Sequence, residues 1–276
     1  MTLDIGRLGP ADLEGALRLS TQAGWNQLAA DWQRLFDLCP EGCLAGRQNG
    51  KLVATATVAS FGRDVHWIGM VLVDEALRGQ GIGSKMLSHT IQLAQSRGGV
   101  VGLDATDLGR PVYLKQGFVD VAPIDRWSGV LKAPAPVAAA KPIDRSCFDD
   151  VATLDRAAAG CDRSALLLHL MQEPGVYGVA EQGAGYAFLR PGRNAFHVGP
   201  MVSVDDSVAA KMLGSLARLV PSAPVLLDAL RTSASTALLD AFGLGVSRRL
   251  TRMTHGSSSR VLMGDPVRAA VSFELG

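Results

Sequence analysis

Apolar and polar residues along the first 130 positions fall into alternating helical and extended patterns. In Ala11–Ser20 the apolar residues include Leu13, Ala16 and Leu17, spaced for one helical face, and Ala29–Leu38 reads as a second helix. Gly42–Arg47 and Leu52–Ala59 read as strands. The Asn49-Gly50 pair between them tolerates positive φ and predicts a tight hairpin. Val65–Val73 follows as a strand, then Gly83–Ser96 as a long helix closed by Arg97-Gly98-Gly99. Val100–Ala105, Pro111–Gln116 and Val119–Trp127 complete the series as strand, short helix and strand. Helices interrupting a mostly sequential sheet predict an α+β or mixed α/β class.

The pattern then repeats. His66-Trp-Ile-Gly-Met-Val-Leu-Val-Asp-Glu75 and His197-Val-Gly-Pro-Met-Val-Ser-Val-Asp-Asp206 share His, Met, two Val and Asp at a shift of 131 positions. Leu103-Asp-Ala105 answers Leu227-Asp-Ala229 at a shift of 124. Tyr113-Leu-Lys-Gln-Gly117 corresponds to Leu239-Asp-Ala-Phe-Gly243, and Ile124-Asp-Arg-Trp127 to Leu250-Thr-Arg-Met253. Matched blocks in one order with near-constant offsets indicate duplication of a whole domain, not a short-period solenoid. Between the copies, Leu131–Pro142 holds three prolines and five alanines without an aromatic, which reads as an extended linker. The expected organisation is a first domain over 1–131, a linker over 132–142 and a second domain over 143–276.

Composition narrows the partners. The 276 residues carry 27 Lys+Arg against 26 Asp+Glu, a net charge of +1 that lacks the basic excess of a nucleic-acid binder. The N-terminus lacks a signal-peptide layout, and no apolar run approaches the roughly 20 residues of a membrane span. A cytoplasmic protein with no membrane partner is expected. Cys39, Cys43, Cys147 and Cys161 show no zinc spacing with His, so no metal is expected.

The chemistry concentrates in Met70-Val-Leu-Val-Asp-Glu-Ala-Leu-Arg-Gly-Gln-Gly-Ile-Gly-Ser84. Glycines between a strand and a long helix turn several amide N–H groups toward one spot, beside the positive end of the helix dipole. That is an anion site suited to a pyrophosphate. Gly83-Ser84-Lys85 has the wrong order for a Walker loop, and Gly79-x-Gly81-x-Gly83 the wrong spacing for a dinucleotide fingerprint.

What remains, Arg78-x-x-Gly81-x-Gly83 followed by Tyr113-x-x-x-Gly117-Phe118, resembles the acyl-CoA loop and second hallmark of the GNAT superfamily of N-acetyltransferases. The resemblance covers roughly residues 3–127. The whole chain is similar to bacterial tandem proteins in which a degenerate GNAT-like unit follows the first. It implies two tandem domains, each a mostly antiparallel central sheet flanked by helices. It further implies acetyl-CoA as co-substrate, with its pyrophosphate on the amides of Arg78, Gly79, Gln80, Gly81, Ile82, Gly83 and Ser84. The pantetheine arm would pair with the strand at Val71, Leu72 and Val73, and Tyr113 would protonate the departing thiolate. Trp25, Asn26 and Trp32 would lie near one wall of the acceptor site, where packing in the core is the competing role for the tryptophans.

The general base stays open among His66, Asp64, Asp104 and a water chain; His197 at the register of His66 favours a shared structural role for that pair. The second copy lacks the glycine loop and has Leu239 in place of Tyr113, so a scaffold role is expected. His197, Asp228 and Arg163 are its weaker candidates for facing the acceptor, and Arg190-Pro-Gly-Arg193 could be a plain hairpin turn. The leading expectation is acyl transfer to a primary amine, of a small molecule in preference to a protein. A non-catalytic acyl-CoA-binding module is the contrasting class, as is a protein N-acetyltransferase.

Overall fold

A computed structural model of the chain describes residues 2–134, 138–256 and 266–276, so the centre of the expected linker, 135–137, lies outside the described residues. The first half runs β1 (Asp4–Arg7), α1 (Leu13–Gln22), α2 (Ala29–Leu38), β2 (Cys43–Gln48), β3 (Lys51–Phe61), β4 (Val65–Val73), α3 (Ile82–Ser96), β5 (Val100–Thr106), α4 (Arg110–Lys115) and β6 (Phe118–Val130). The second half runs β7 (Lys141–Pro142), α5 (Phe148–Ala159), α6 (Ser164–Gln172), β8 (Tyr177–Glu181), β9 (Gly185–Arg190), β10 (Phe196–Ser203), α7 (Asp206–Leu219), β11 (Pro224–Leu230), α8 (Ser233–Ala241), β12 (Leu244–His255) and β13 (Val267–Ala269). The first helix starts two residues later than expected because Pro10–Asp12 forms a 3-10 turn ahead of it. Asn49 and Gly50 take φ of 51° and 77°, the hairpin geometry their types suggest.

The described strands form one sheet in the order β1-β2-β3-β4-β5-β12-β6-β11-β10-β9-β8-β7, with β13 on β10. The halves therefore do not keep separate sheets. They exchange their closing strands. β12 of the second half pairs antiparallel with β5 of the first, while β6 of the first pairs with β11 of the second. β6 and β12 pair with each other at the centre. Each exchange removes a sheet edge that would otherwise stand open.

Two reciprocal ion pairs lock the exchange. Arg252 on β12 lies opposite Asp104 on β5 and donates to both its oxygens at 2.9 and 2.8 Å. Arg126 on β6 lies opposite Asp228 on β11 and donates to both its oxygens at 2.7 Å. Each guanidinium also stacks on an aromatic ring, Arg252 over Trp67 at 4.5 Å and Arg126 over Phe273 at 4.2 Å. Arg252 and Asp104 are fully buried. Removing one partner strands the other charge, so Arg252→Ala is expected to lower stability by roughly 3–5 kcal/mol in urea unfolding.

The largest apolar cluster crosses between the halves: Trp32, Leu35 and Phe36 of α2 share it with Leu166, Leu167 and Leu170 of α6. Both ends of the linker are tied down. Lys132 N–H donates to Phe242 C=O, and Ala140 N–H to Ser215 Oγ.

Candidate active site

β4 and β5 run parallel and pair only at Val65, His66 and Trp67; beyond that point they separate. Met70 takes φ of 48° at a register shift against β3, and its carbonyl accepts from the buried Thr55 hydroxyl at 2.8 Å. The bulge re-aims the strand and leaves the Gly69–Val71 backbone facing an opening. A cavity of about 230 Å³ fills that opening. Gly69, Met70 and Val71 line it from β4, Leu103, Asp104 and Thr106 from β5, and Gly109 and Tyr113 from around α4. Leu72 is buried and Val73 half-buried farther along β4.

The glycine loop lies at the far end of β4. Gly79 and Gly81 take φ of 80° and 76°, and a side chain at either would meet nothing within 4 Å. Gly81 caps α3 without a side chain, and helical bonding begins only with Lys85 N–H donating to Gly81 C=O. The amides of Ile82, Gly83 and Ser84 thus precede the hydrogen-bonded ladder and are open to an anion. The helix begins at Ile82, one residue earlier than expected. Gln80 and Gly81 are exposed, and Arg78, also exposed, donates to Val73 C=O at 3.3 Å.

The second half fills the same two places with its own atoms. Asp205 caps α7 and accepts from Val208 N–H at 2.9 Å and from the Ser207 hydroxyl at 2.7 Å, so a carboxylate already occupies the helix start. β10 and β11 pair at Phe196–Val198 and then separate, as β4 and β5 do. Here β13 enters the gap, with Ala269 opposite Met201 and Val267 opposite Val202, the positions matching Met70 and Val71. Ala270 N–H donates across to Asp228 C=O on β11 at 2.8 Å. The chain thus shows that an extended amide-bearing segment fits such a gap. Among the described residues the first gap has no such strand, and its backbone and open amides fit acyl-CoA.

Tyr113 sits half-buried on α4, its ring edge-on to Phe118 at 5.9 Å. Burial pushes its hydroxyl up to about 12, so the phenol is protonated at neutral pH. The ring nearly touches Gly109, where a Cβ would come within 2.9 Å of Cε2.

The remaining expectations divide. Trp25 lines the cavity, but Trp32 is buried in the core cluster. Asn26 does not line the cavity. Its Oδ1 accepts from Asn194 and Ala195 N–H and its Nδ2 donates to Ala195 C=O, which fastens the first half to the turn after β9. The Arg190–Arg193 turn is thus an inter-half clasp as well, since Arg193 donates to Trp25 C=O. Asp104 lines the cavity with its carboxylate committed to Arg252, which leaves it poorly placed as a base. His66 lies away from the cavity, with Nδ1 at 2.9 Å from Ser60 Oγ, and burial lowers its pKa. His197 is buried at the same register, its pKa lowered well below the usual imidazole range by burial and by nearby arginines. Asp64 is exposed. Asp228 serves Arg126, and Arg163 pairs with Asp155 at 2.5 Å inside the second half.

Sequence reasoning missed Gln27, Arg126, Arg248, Phe273 and Glu274, all of which line the cavity. Gln27 adjoins the Trp25-Asn26 pair and could have been included with it. The others are brought in by strand exchange and by the final segment, and no local pattern marks them.

Two family models match the chain, the acetyltransferase (GNAT) family over residues 14–118 and an acetyltransferase (GNAT) domain over 151–263. The chain belongs to the GNAT superfamily, in tandem form. An uncharacterised N-acetyltransferase of Bacillus subtilis, YitH, is 29% identical over 225 residues, covering 76% of this chain and 77% of that one. The holothin acyltransferase of a Pseudoalteromonas species is 27% identical over 214 residues, covering 74% and 71%. Among solved structures, one of a candidate acetyltransferase from Pyrococcus horikoshii superposes with a TM-score of 0.86 at 19% identity, covering 99% of this chain and 96% of that one. A tandem GNAT protein from the clavulanic acid biosynthesis pathway gives 0.66 at 16%, covering 93% and 100%. The tandem GNAT architecture with a mostly antiparallel sheet flanked by helices is thus shared across distant sequences.

Proposed function

We propose that the first GNAT unit transfers an acetyl or other short acyl group from CoA to a primary amine of a small molecule. The observation that carries this reading is the cavity between the separated β4 and β5, which the second half closes over. The amides of Arg78–Ser84 hold the pyrophosphate, and the β4 backbone at Val71 and Val73 pairs with the pantetheine amides. The amine, its ammonium proton released to water, attacks the thioester carbonyl, forming C–N as C–S breaks; Tyr113 donates its O–H proton to the departing sulfur, and the proton shed by the new amide nitrogen restores the phenol through water. The Pseudoalteromonas relative is named for acylating holothin, which supports acyl transfer here as well. A walled cavity of about 230 Å³ suits such an acceptor better than a protein surface.

Tyr113→Phe tests the proton-donor role. Turnover, followed as free CoA thiol across a panel of primary amines, is expected to fall about 100-fold. The rise in melting temperature with acetyl-CoA is expected to persist, since binding to the folded state does not need the phenol. Unchanged turnover in this variant contradicts the role.

A further inference from the structure

One carboxylate in the cavity wall is held more loosely than the ion pairs around it. Glu274, only 4% exposed, lines the cavity, and its Oε1 is buried without a hydrogen-bond partner. The nearest guanidinium is Arg190, whose Nη2 lies 3.9 Å from that oxygen, beyond hydrogen-bond reach. Arg190 is already engaged, donating to Asp31 at 2.6 Å and to Val271 C=O at 3.3 Å. Arg34 is shared between Asp31 and Glu173, and Arg126 is held by Asp228. Arg34, Arg126 and Arg190 thus make their close ion pairs with Asp31, Glu173 and Asp228, and none donates to Glu274 Oε1.

The protein invests structure in holding Glu274 there. β13 is anchored between β10 and β11, and the chain beyond it crosses to the first half. Phe273 C=O accepts from Trp67 Nε1 at 2.9 Å, and Arg163 donates to Gly276 C=O at 3.3 Å. Gly69 makes room for it, since a Cβ there would lie 2.7 Å from Glu274 Cα. The segment that fills the second gap thus delivers a carboxylate to the first.

We infer that Glu274 is the acceptor-binding carboxylate, pairing with the ammonium of the incoming amine before that nitrogen is deprotonated for attack. A buried carboxylate oxygen without a hydrogen bond is unfavourable, and a cation supplied by the ligand offsets that cost. The inference rests on the proposal that this cavity receives a primary amine, and it assigns the recognition of that amine to the second half of the chain.

The test uses the full chain saturated with CoA at pH 7 and constant ionic strength. n-Butylammonium chloride and n-butanol are titrated separately, and tryptophan fluorescence is followed, since Trp25 lines the cavity. The wild type is expected to show a saturable response to butylammonium that butanol does not reproduce. Glu274→Gln is expected to weaken it at least tenfold with CoA affinity unchanged, and Glu274→Asp to restore part of it. Equal butylammonium affinity in Glu274→Gln, equal responses to the ammonium and the alcohol, or joint loss of CoA binding in the variant each overturn the inference. Failure of the wild type to bind CoA overturns instead the reading on which it rests.

Discussion

Residues 1–142 expressed alone are expected to yield no soluble folded monomer. Cutting there removes β12, which lies between β5 and β6 in the sheet and bonds to both. β5 loses its partner along Gly102–Thr106, and β6 loses β11 as well as β12. Asp104 loses the guanidinium that neutralises it in a fully buried position. Leu35 and Phe36 lose the α6 side of their shared apolar cluster. The open edges add a route to aggregation. Size-exclusion chromatography and circular dichroism of the fragment check this. A soluble, fully active fragment would mean that β6 can close its own half without exchange.

Gly81→Asp is expected to abolish acetyl-CoA binding while leaving the fold intact. Gly81 is exposed at positive φ with open space around it, and Asp is among the side chains that tolerate that backbone region best. The new carboxylate would stand beside the open amides at the start of α3. It would also place negative charge where a pyrophosphate must sit. Acetyl-CoA at 100 times the wild-type Kd should stabilise the wild type by about 2.7 kcal/mol and the variant not at all. Differential scanning fluorimetry reads this directly. A retained shift would place the CoA site elsewhere.

Much of the fold was legible in the sequence because its signals are local. The Asn49-Gly50 hairpin, the extent of Val65–Val73 and the glycine loop before α3 depend on residues within a few positions of one another. The repeat was legible because the His66 and His197 segments keep one register. The strand exchange was not. Ile124 and Arg126 of β6 resemble Leu250 and Arg252 of β12, so either strand carries the pattern needed to close either half. Which one does so is decided by tertiary packing.

The wall of the cavity opposite Tyr113 was illegible for a related reason. Asn26 carries the same amide whether it binds a ligand or a backbone, and the backbone it meets belongs to residues 194 and 195. Glu274 lies beyond the repeat in a short segment with no motif. Only the gap between β10 and β11 gives that segment its place. Tyr113, proposed as the proton donor, stands out in the sequence because Gly117-Phe118 follows it closely. The groups opposite it come from four separated stretches of chain.

The central claim is that the two gaps are used differently, the first open to acetyl-CoA and the second filled by the chain itself. Isothermal titration of the full chain with acetyl-CoA tests it most directly. One molecule per chain is predicted for the wild type and none for Gly81→Asp. Two molecules per chain, or unchanged binding in Gly81→Asp, would contradict it.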